Sequence, residues 1–218
     1  ELKLDYRWYV TSLIQAFNEN KDIHRHTASV VFGVSEDEVT STMRRNAKAV
    51  NFGIIYGMSD YGLAEQLGVT VKEAKSFIEK YFEKYAEIKE YMNKSIAFGK
   101  ENGYVSTVLN RKRYIPEINE KNYMRQEFGK RLAMNSPIQG SAADIIKLAM
   151  IKVDQLLKEN HMKSKMILQV HDELIFDVYE DELEQMMKLV QTGMESAYQM
   201  TVELKAEGTY AKNWYELK

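Results

Sequence analysis

The stretch Lys165-Met-Ile-Leu-Gln-Val-His-Asp-Glu-Leu-Ile-Phe-Asp-Val178 decides the fold class. Two short apolar runs, Lys165 to Val170 and Glu173 to Val178, flank a polar break at His171-Asp172, which predicts two strands joined by a tight turn. Most of the remaining chain carries helical periodicity. Helices first, then a small antiparallel sheet braced by helices, is an α+β arrangement. The break has two readings. Asp is a good turn residue and explains the polarity without chemistry. Core-like flanks and the lack of Gly or Asn favour a second reading, a carboxylate held on a rigid hairpin for a hard cation such as Mg²⁺.

Working outward, Leu183 lies within a helix expected from about Asp181 to Met200, and Thr201 to Glu207 is expected to form a terminal strand. Upstream, Lys121 to Lys158 is helical, with an interruption expected at Asn135-Ser136-Pro137, where proline favours a new helix start. Arg131 and Asn135 share a face there, and Gln139 begins the next helix. Such amides read bases or cap helix ends, and Ala142 and Ala143 permit close helix packing. Tyr104 to Leu109 and Lys112 to Ile115 form a small hairpin about Asn110-Arg111. Its basic cluster, Arg111 to Arg113, reads by itself as a solvated loop.

The longest periodic segment begins at the capping box Thr70-x-x-Glu73 and runs almost to Gly99. Its aromatic stripe, including Phe77, Tyr81, Phe82 and Tyr85, reads as core. Asp60 to Leu67 is a short helix. Met43 to Gly57 is a helix with two unlike faces. Met43, Ala47, Val50 and Ile54 form an apolar back. Arg44, Lys48, Phe52 and Tyr56 recur every fourth residue over about 18 Å, with Arg45 close by. Cations followed by rings suit a phosphorylated ligand with a flat base; the alternative is a basic amphipathic surface helix. Ser35-x-x-Glu38 is a capping box before it. Asp22-Ile23-His24 leads into a helix through Thr27, Ala28, Val31 and Phe32. Thr11 to Asn20 reads as a helix with Leu13, Ile14 and Phe17 inward, and Glu1 to Val10 as a short strand.

The 218 residues suffice for one generous domain or two small lobes. A hydrophobic fraction of 44% and a charged fraction of 28% are those of ordinary globular proteins. The absence of cysteine excludes disulfides, thiolate metal sites and cysteine nucleophiles, and fits the cytoplasm. No membrane partner is expected. A net charge of −2 argues against a uniformly basic nucleic-acid binder, while leaving room for local basic stripes.

Taken together, Arg44-Arg45-x-Ala47-Lys48-x-x-Asn51-Phe52-Gly53-x-x-Tyr56-Gly57 resembles motif B of the family A DNA polymerases, the bacterial DNA polymerase I group. Gln169-Val170-His171-Asp172-Glu173 resembles their motif C. Pro137-x-Gln139-Gly140-x-Ala142-Ala143-Asp144, Gly103-Tyr104-Val105 and Arg113-Tyr114-x-Pro116 stand in family order. The similarity runs from about Leu13 to the end and is greatest to polymerases of Gram-positive bacteria. It implies a helical fingers subdomain at 21–100, a C-terminal palm at 101–218 and an altered motif A region at 1–20.

By that resemblance, Arg44, Lys48 and His24 would grip the triphosphate of a deoxynucleotide, Phe52 would meet the sugar, and Tyr56 the templating base. Asp172, with Glu173 beside it, and Asp5 would be the catalytic carboxylates. Asp172 and Asp5 would hold two Mg²⁺ ions, with Mn²⁺ as a substitute. Arg111, Arg113, Arg131, Asn135, Gln139 and His171 would contact primer–template DNA. The implied protein is a monomer that adds deoxynucleotides to a primer 3′-hydroxyl. The family's motif A, Asp-Tyr-Ser-Gln-Ile-Glu-Leu-Arg, is matched only by Asp5-Tyr6, and Val10 stands at the Glu spacing. With no counterpart of a thumb, the second expectation is a catalytically incomplete fragment that binds nucleotide or DNA weakly.

Overall fold

The computed structural model describes residues 11–217. The expected strand at Glu1 to Val10, and Asp5 with it, lies outside them. Contacts divide the chain into two compact units, residues 1–140 and 141–218.

Within the first unit, α1 (Thr11–Asn18) and α2 (Ile23–Phe32) precede α3 (Ser41–Ile55). In α1 the expected inward Phe17 is instead 47% exposed and Ala16 is buried; Leu13 has no described side-chain environment. The Asp22 carboxylate caps α2, accepting from the N–H groups of His24 and Arg25 at 3.1 Å each. The Ser35 box does not start α3. It closes a single 3₁₀ turn, Glu36–Glu38, and Thr40 caps α3 through the Met43 N–H. A box specifies a first turn, and Val39 leaves helical geometry after one.

α4 (Asp60–Leu67) has the expected bounds. The long periodic segment is two helices, α5 (Val71–Lys84) and α6 (Ala86–Asn102), broken at Tyr85 with φ −121° and ψ 58°. Periodicity missed the break because Tyr81, Tyr85 and Ile88 enter the same core on either side of it. That core also takes Val31, Val50, Ile54 and Leu63, so the aromatic stripe is structural. Tyr81 and Tyr85 pack with ring centroids 4.8 Å apart. A second cluster of Ala28, Val39 and Ala47 fastens α2 to α3.

β1 (Tyr104–Ser106) pairs antiparallel with β2 (Lys112–Tyr114). A wider turn than expected joins them, with Asn110 at φ +60°. Val105, Ile115, Ile118 and Ala133 bury this hairpin against α7 (Tyr123–Glu159). The expected interruption of α7 does not occur, and Pro137 lies inside one continuous helix. Proline cannot donate to the Ala133 carbonyl, a cost of about 3 kcal/mol in an isolated helix. Here Ala133, Met134 and Pro137 itself are buried, and packing holds the helix through the defect.

The second unit takes the end of α7, β3 (Lys165–Val170), β4 (Glu173–Asp177) and α8 (Leu183–Glu195). β3 and β4 pair antiparallel, Val170 opposite Glu173, with an irregularity between Met166 and Leu168. Val153, Leu157 and Met186 form the core, with Met166 and Phe176 packed on it. The strands are less core-like than their composition: Ile167 is 56% and Leu168 47% exposed. α8 ends at Glu195, short of the expected Met200, and Thr201 to Glu207 is not a strand. Ala142 and Ala143 are exposed, so they are not packing notches among the described residues.

Candidate nucleotide-binding face and hairpin carboxylate

The α3 face separates as its sequence predicts. Ala47, Val50, Asn51, Gly53 and Ile54 are buried, whereas Arg44, Lys48, Phe52 and Tyr56 are all exposed. The Phe52 and Tyr56 rings stack with centroids 6.1 Å apart and planes 23° from parallel. His24, from the first turn of α2, joins the row 5.9 Å from Phe52. The face therefore carries cations at one end, an imidazole beside them, and two rings beyond.

The cation end is organised by a residue with no role assigned from sequence. Arg44 Nε donates to the Asp22 carboxylate at 2.5 Å, while the same carboxylate caps α2. Burial pushes the Asp22 carboxyl up, but the Arg44 guanidinium and the N–H groups of Arg25 and His24 outweigh it, and it lies below its ordinary value. The signal was present: Asp two residues before His24 is a strong N-cap.

His24 is half-buried, and its pKa is held below the ordinary value, first by burial, then by Arg44 and, more weakly, Lys48; Asp22 opposes them. The folded state thus binds a proton here less readily than the unfolded chain. Its contribution is fully present above the unfolded value of about 6.5 and is lost as pH falls below it. The melting temperature is expected to drop between about pH 7 and 5.5, above the window where carboxylates titrate, and His24→Gln is expected to remove part of that drop. Identical pH profiles for the two proteins would contradict this.

The C-terminal end of α3 abuts α7. Gly57, at φ +71°, would place a Cβ 2.5 Å from Met134 Cε and 3.1 Å from Arg131 Cγ. Tyr56 therefore ends the stripe beside the face of α7 that bears Arg131. Because α7 is continuous, Arg131, Asn135 and Gln139 follow one another at four-residue steps along a single helix, rather than across two. Arg131 lies over the Phe128 ring at 6.0 Å. The Asn135 Oδ1 is buried without a hydrogen-bond partner among the described residues. Arg111, Lys112 and Arg113 are exposed on their hairpin, and Lys112 Nζ sits 4.3 Å over the Tyr104 ring.

In the second unit, His171 and Asp172 form the two-residue turn between β3 and β4, and both are exposed. His171 has φ +54°, a left-handed conformation costing roughly 1–2 kcal/mol for a residue with a side chain. Gln169 Nε2 donates to the His171 carbonyl at 2.5 Å and fixes the turn. Asp172 and Glu173 point from this apex region into solvent. Among the described residues no group of three or more His, Asp or Glu side chains converges to hold a metal ion.

The model of DNA polymerase family A matches residues 9–216. This chain belongs to DNA polymerase family A. It is 53% identical over 206 residues to DNA polymerase I of Caldicellulosiruptor bescii, covering 94% of this chain and 24% of that protein. It is 52% identical over 207 residues to DNA polymerase I of Bacillus subtilis, covering 95% and 24%. The POL domain of Pol1 from M. smegmatis, in complex with DNA primer-template and dNTP, superimposes with a TM-score of 0.85 at 46% identity. That match covers 89% of this chain and 34% of the other. The chain thus spans about a quarter of the length of these curated family A relatives. No helix among the described residues is long and apolar enough to cross a membrane.

Proposed function

We propose that this family A chain is the nucleotide-binding and part of the catalytic portion of a DNA-directed DNA polymerase, with residues 21–100 as fingers and 101–218 as C-terminal palm. The observation that carries the reading is the exposed α3 row of Arg44, Lys48, Phe52 and Tyr56, with His24 beside it. A deoxynucleoside triphosphate would lie along it, phosphates at Arg44, Lys48 and His24, sugar at Phe52, templating base at Tyr56. Primer–template DNA would run past Arg131, Asn135 and Gln139 and be met by Arg111, Arg113 and His171. The reaction is attack of the primer 3′-oxygen on the α-phosphorus. The bond from that phosphorus to its bridging oxygen breaks, pyrophosphate leaves, and the hydroxyl proton passes to solvent.

Family A polymerases use divalent metal ions. A pair of Mg²⁺ ions needs more oxygen donors than the described residues bring together, since among them Asp172 and Glu173 belong to no group of three or more His, Asp or Glu side chains that could hold a metal ion. The assignment of metal to Asp172 therefore requires a second carboxylate, for which Asp5 is the sequence candidate. The second reading, a segment that binds nucleotide without turning it over alone, is supported by the sequence, where motif A is matched only by Asp5-Tyr6 and Val10 stands at the Glu spacing.

Nucleotide binding tests the α3 row independently of turnover. Lys48→Ala is expected to weaken dATP binding by about 1–3 kcal/mol, the range for a hydrogen bond to a charged group, measured by calorimetric titration of the whole chain. An unchanged dissociation constant would remove Lys48 from the phosphate grip.

A further inference from the structure

Asn51 is the one strongly polar side chain on the buried back of α3, 7% exposed. Its amide nitrogen lies 3.0 Å from Nδ1 of His24. Its carbonyl oxygen accepts from the hydroxyl of Thr27 at 3.0 Å, and Thr27 is fully buried. The chemistry of these two contacts fixes a proton. A primary amide nitrogen only donates, so Nδ1 must accept and carry no hydrogen. A neutral imidazole bare at Nδ1 holds its proton on Nε2. An imidazolium has no acceptor to offer Asn51, so protonation would break the contact. The charges near the ring are Arg44 and Lys48 on α3, which disfavour the imidazolium, and Asp22 at the head of α2, which favours it.

We propose that Asn51, locked by Thr27, is a positioning residue that holds His24 as its neutral Nε2–H tautomer, presenting one fixed N–H donor to phosphate oxygens on α3. The inference rests on the reading of His24 as a phosphate contact. The tautomer matters because the other form would turn an Nε2 lone pair toward an anion. Repulsion would then replace a hydrogen bond at the same geometry. A buried pair on the far side of the ring thus decides the sign of the contact on the near side.

The test uses the ¹⁵N-labelled whole chain, with long-range ¹H–¹⁵N spectra identifying which nitrogen of His24 bears hydrogen, and needs no nucleotide. The parent is expected to show Nε2–H above pH 7. Asn51→Asp puts an acceptor where the donor was, and is expected to move the proton to Nδ1 or to charge the ring. Thr27→Val keeps the volume but frees the amide to turn, and is expected to give mixed tautomers; it carries the test where Asn51→Asp does not fold. Titration with dATP is expected to be about tenfold weaker in Thr27→Val, the effect of losing about 1.4 kcal/mol. Nδ1–H in the parent, or one tautomer pattern in all three proteins, overturns the proposal. So does a shifted tautomer with unchanged dATP affinity. A parent with Nε2–H that binds no dATP refutes the nucleotide site and the phosphate role together, while the tautomer readout stands apart from both.

Discussion

Gly129→Ala is expected to destabilise the first unit by about 3 kcal/mol, at the upper end of overpacking costs. A Cβ at this position would lie 2.4 Å from Ile118 N, 2.6 Å from Ile118 Cα and 2.8 Å from the Glu117 carbonyl carbon. All three are backbone atoms and cannot rotate away. They belong to the 3₁₀ turn Pro116–Asn119, which carries Ile118 into a core with Val105, Ile115 and Ala133, all but absent from the surface. Relief requires α7 to part from that turn and open the cluster. The better helix propensity of alanine, worth about 1 kcal/mol, offsets only part of this. Gly68→Ala is the comparison. Its φ is +67° with nothing within 4 Å of the new Cβ, so the conformational cost alone, about 1–2 kcal/mol, is expected. Urea unfolding measures both. A Gly129→Ala midpoint at or above that of Gly68→Ala would mean that α7 yields more easily than its contacts imply.

Gly129 also marks a limit of sequence reading. Nothing in its neighbours distinguishes a glycine that meets a backbone from one tolerated on a helix surface, because the partner lies on a separate turn. Elements whose ends are set locally were legible: α4 matched its residues, and Thr70 and Glu73 closed the box that starts α5. The α3 row was legible because helical geometry alone brings residues four apart onto one face. Elements set by tertiary packing were not. Pro137 was expected to divide a helix, but its cost is met by burial that no local pattern displays. The break at Tyr85 was hidden because both flanking helices face one core. The roles of Asn51 and Thr27 depend on a contact between α2 and α3 across twenty-four residues. Asp22 alone of the missed residues carried a local sign, its N-cap position.

The second large effect is expected at the hairpin. Asp172→Asn preserves size and removes only charge, and primer extension is expected to fall by at least about 100-fold, equivalent to losing roughly 2.7 kcal/mol of transition-state stabilisation. The fold gives little reason for stability to change with it. Asp172 is exposed and makes no ion pair among the described residues, and the turn is fixed by Gln169 on the His171 carbonyl and by the β3–β4 register. Surface substitutions of this kind stay within about 0.5 kcal/mol. Affinity for dATP on the α3 row is expected to hold as well, so the loss would belong to the chemical step. The assay is run on this chain alone and on the chain joined to the upstream part of a family A relative. Extension by the joined protein only, abolished by Asp172→Asn, would put the missing donors upstream and leave this segment as a nucleotide-binding half. Extension by the variant within a few-fold of its parent would release Asp172 from catalysis, leaving the His171 conformation to be explained by the turn alone.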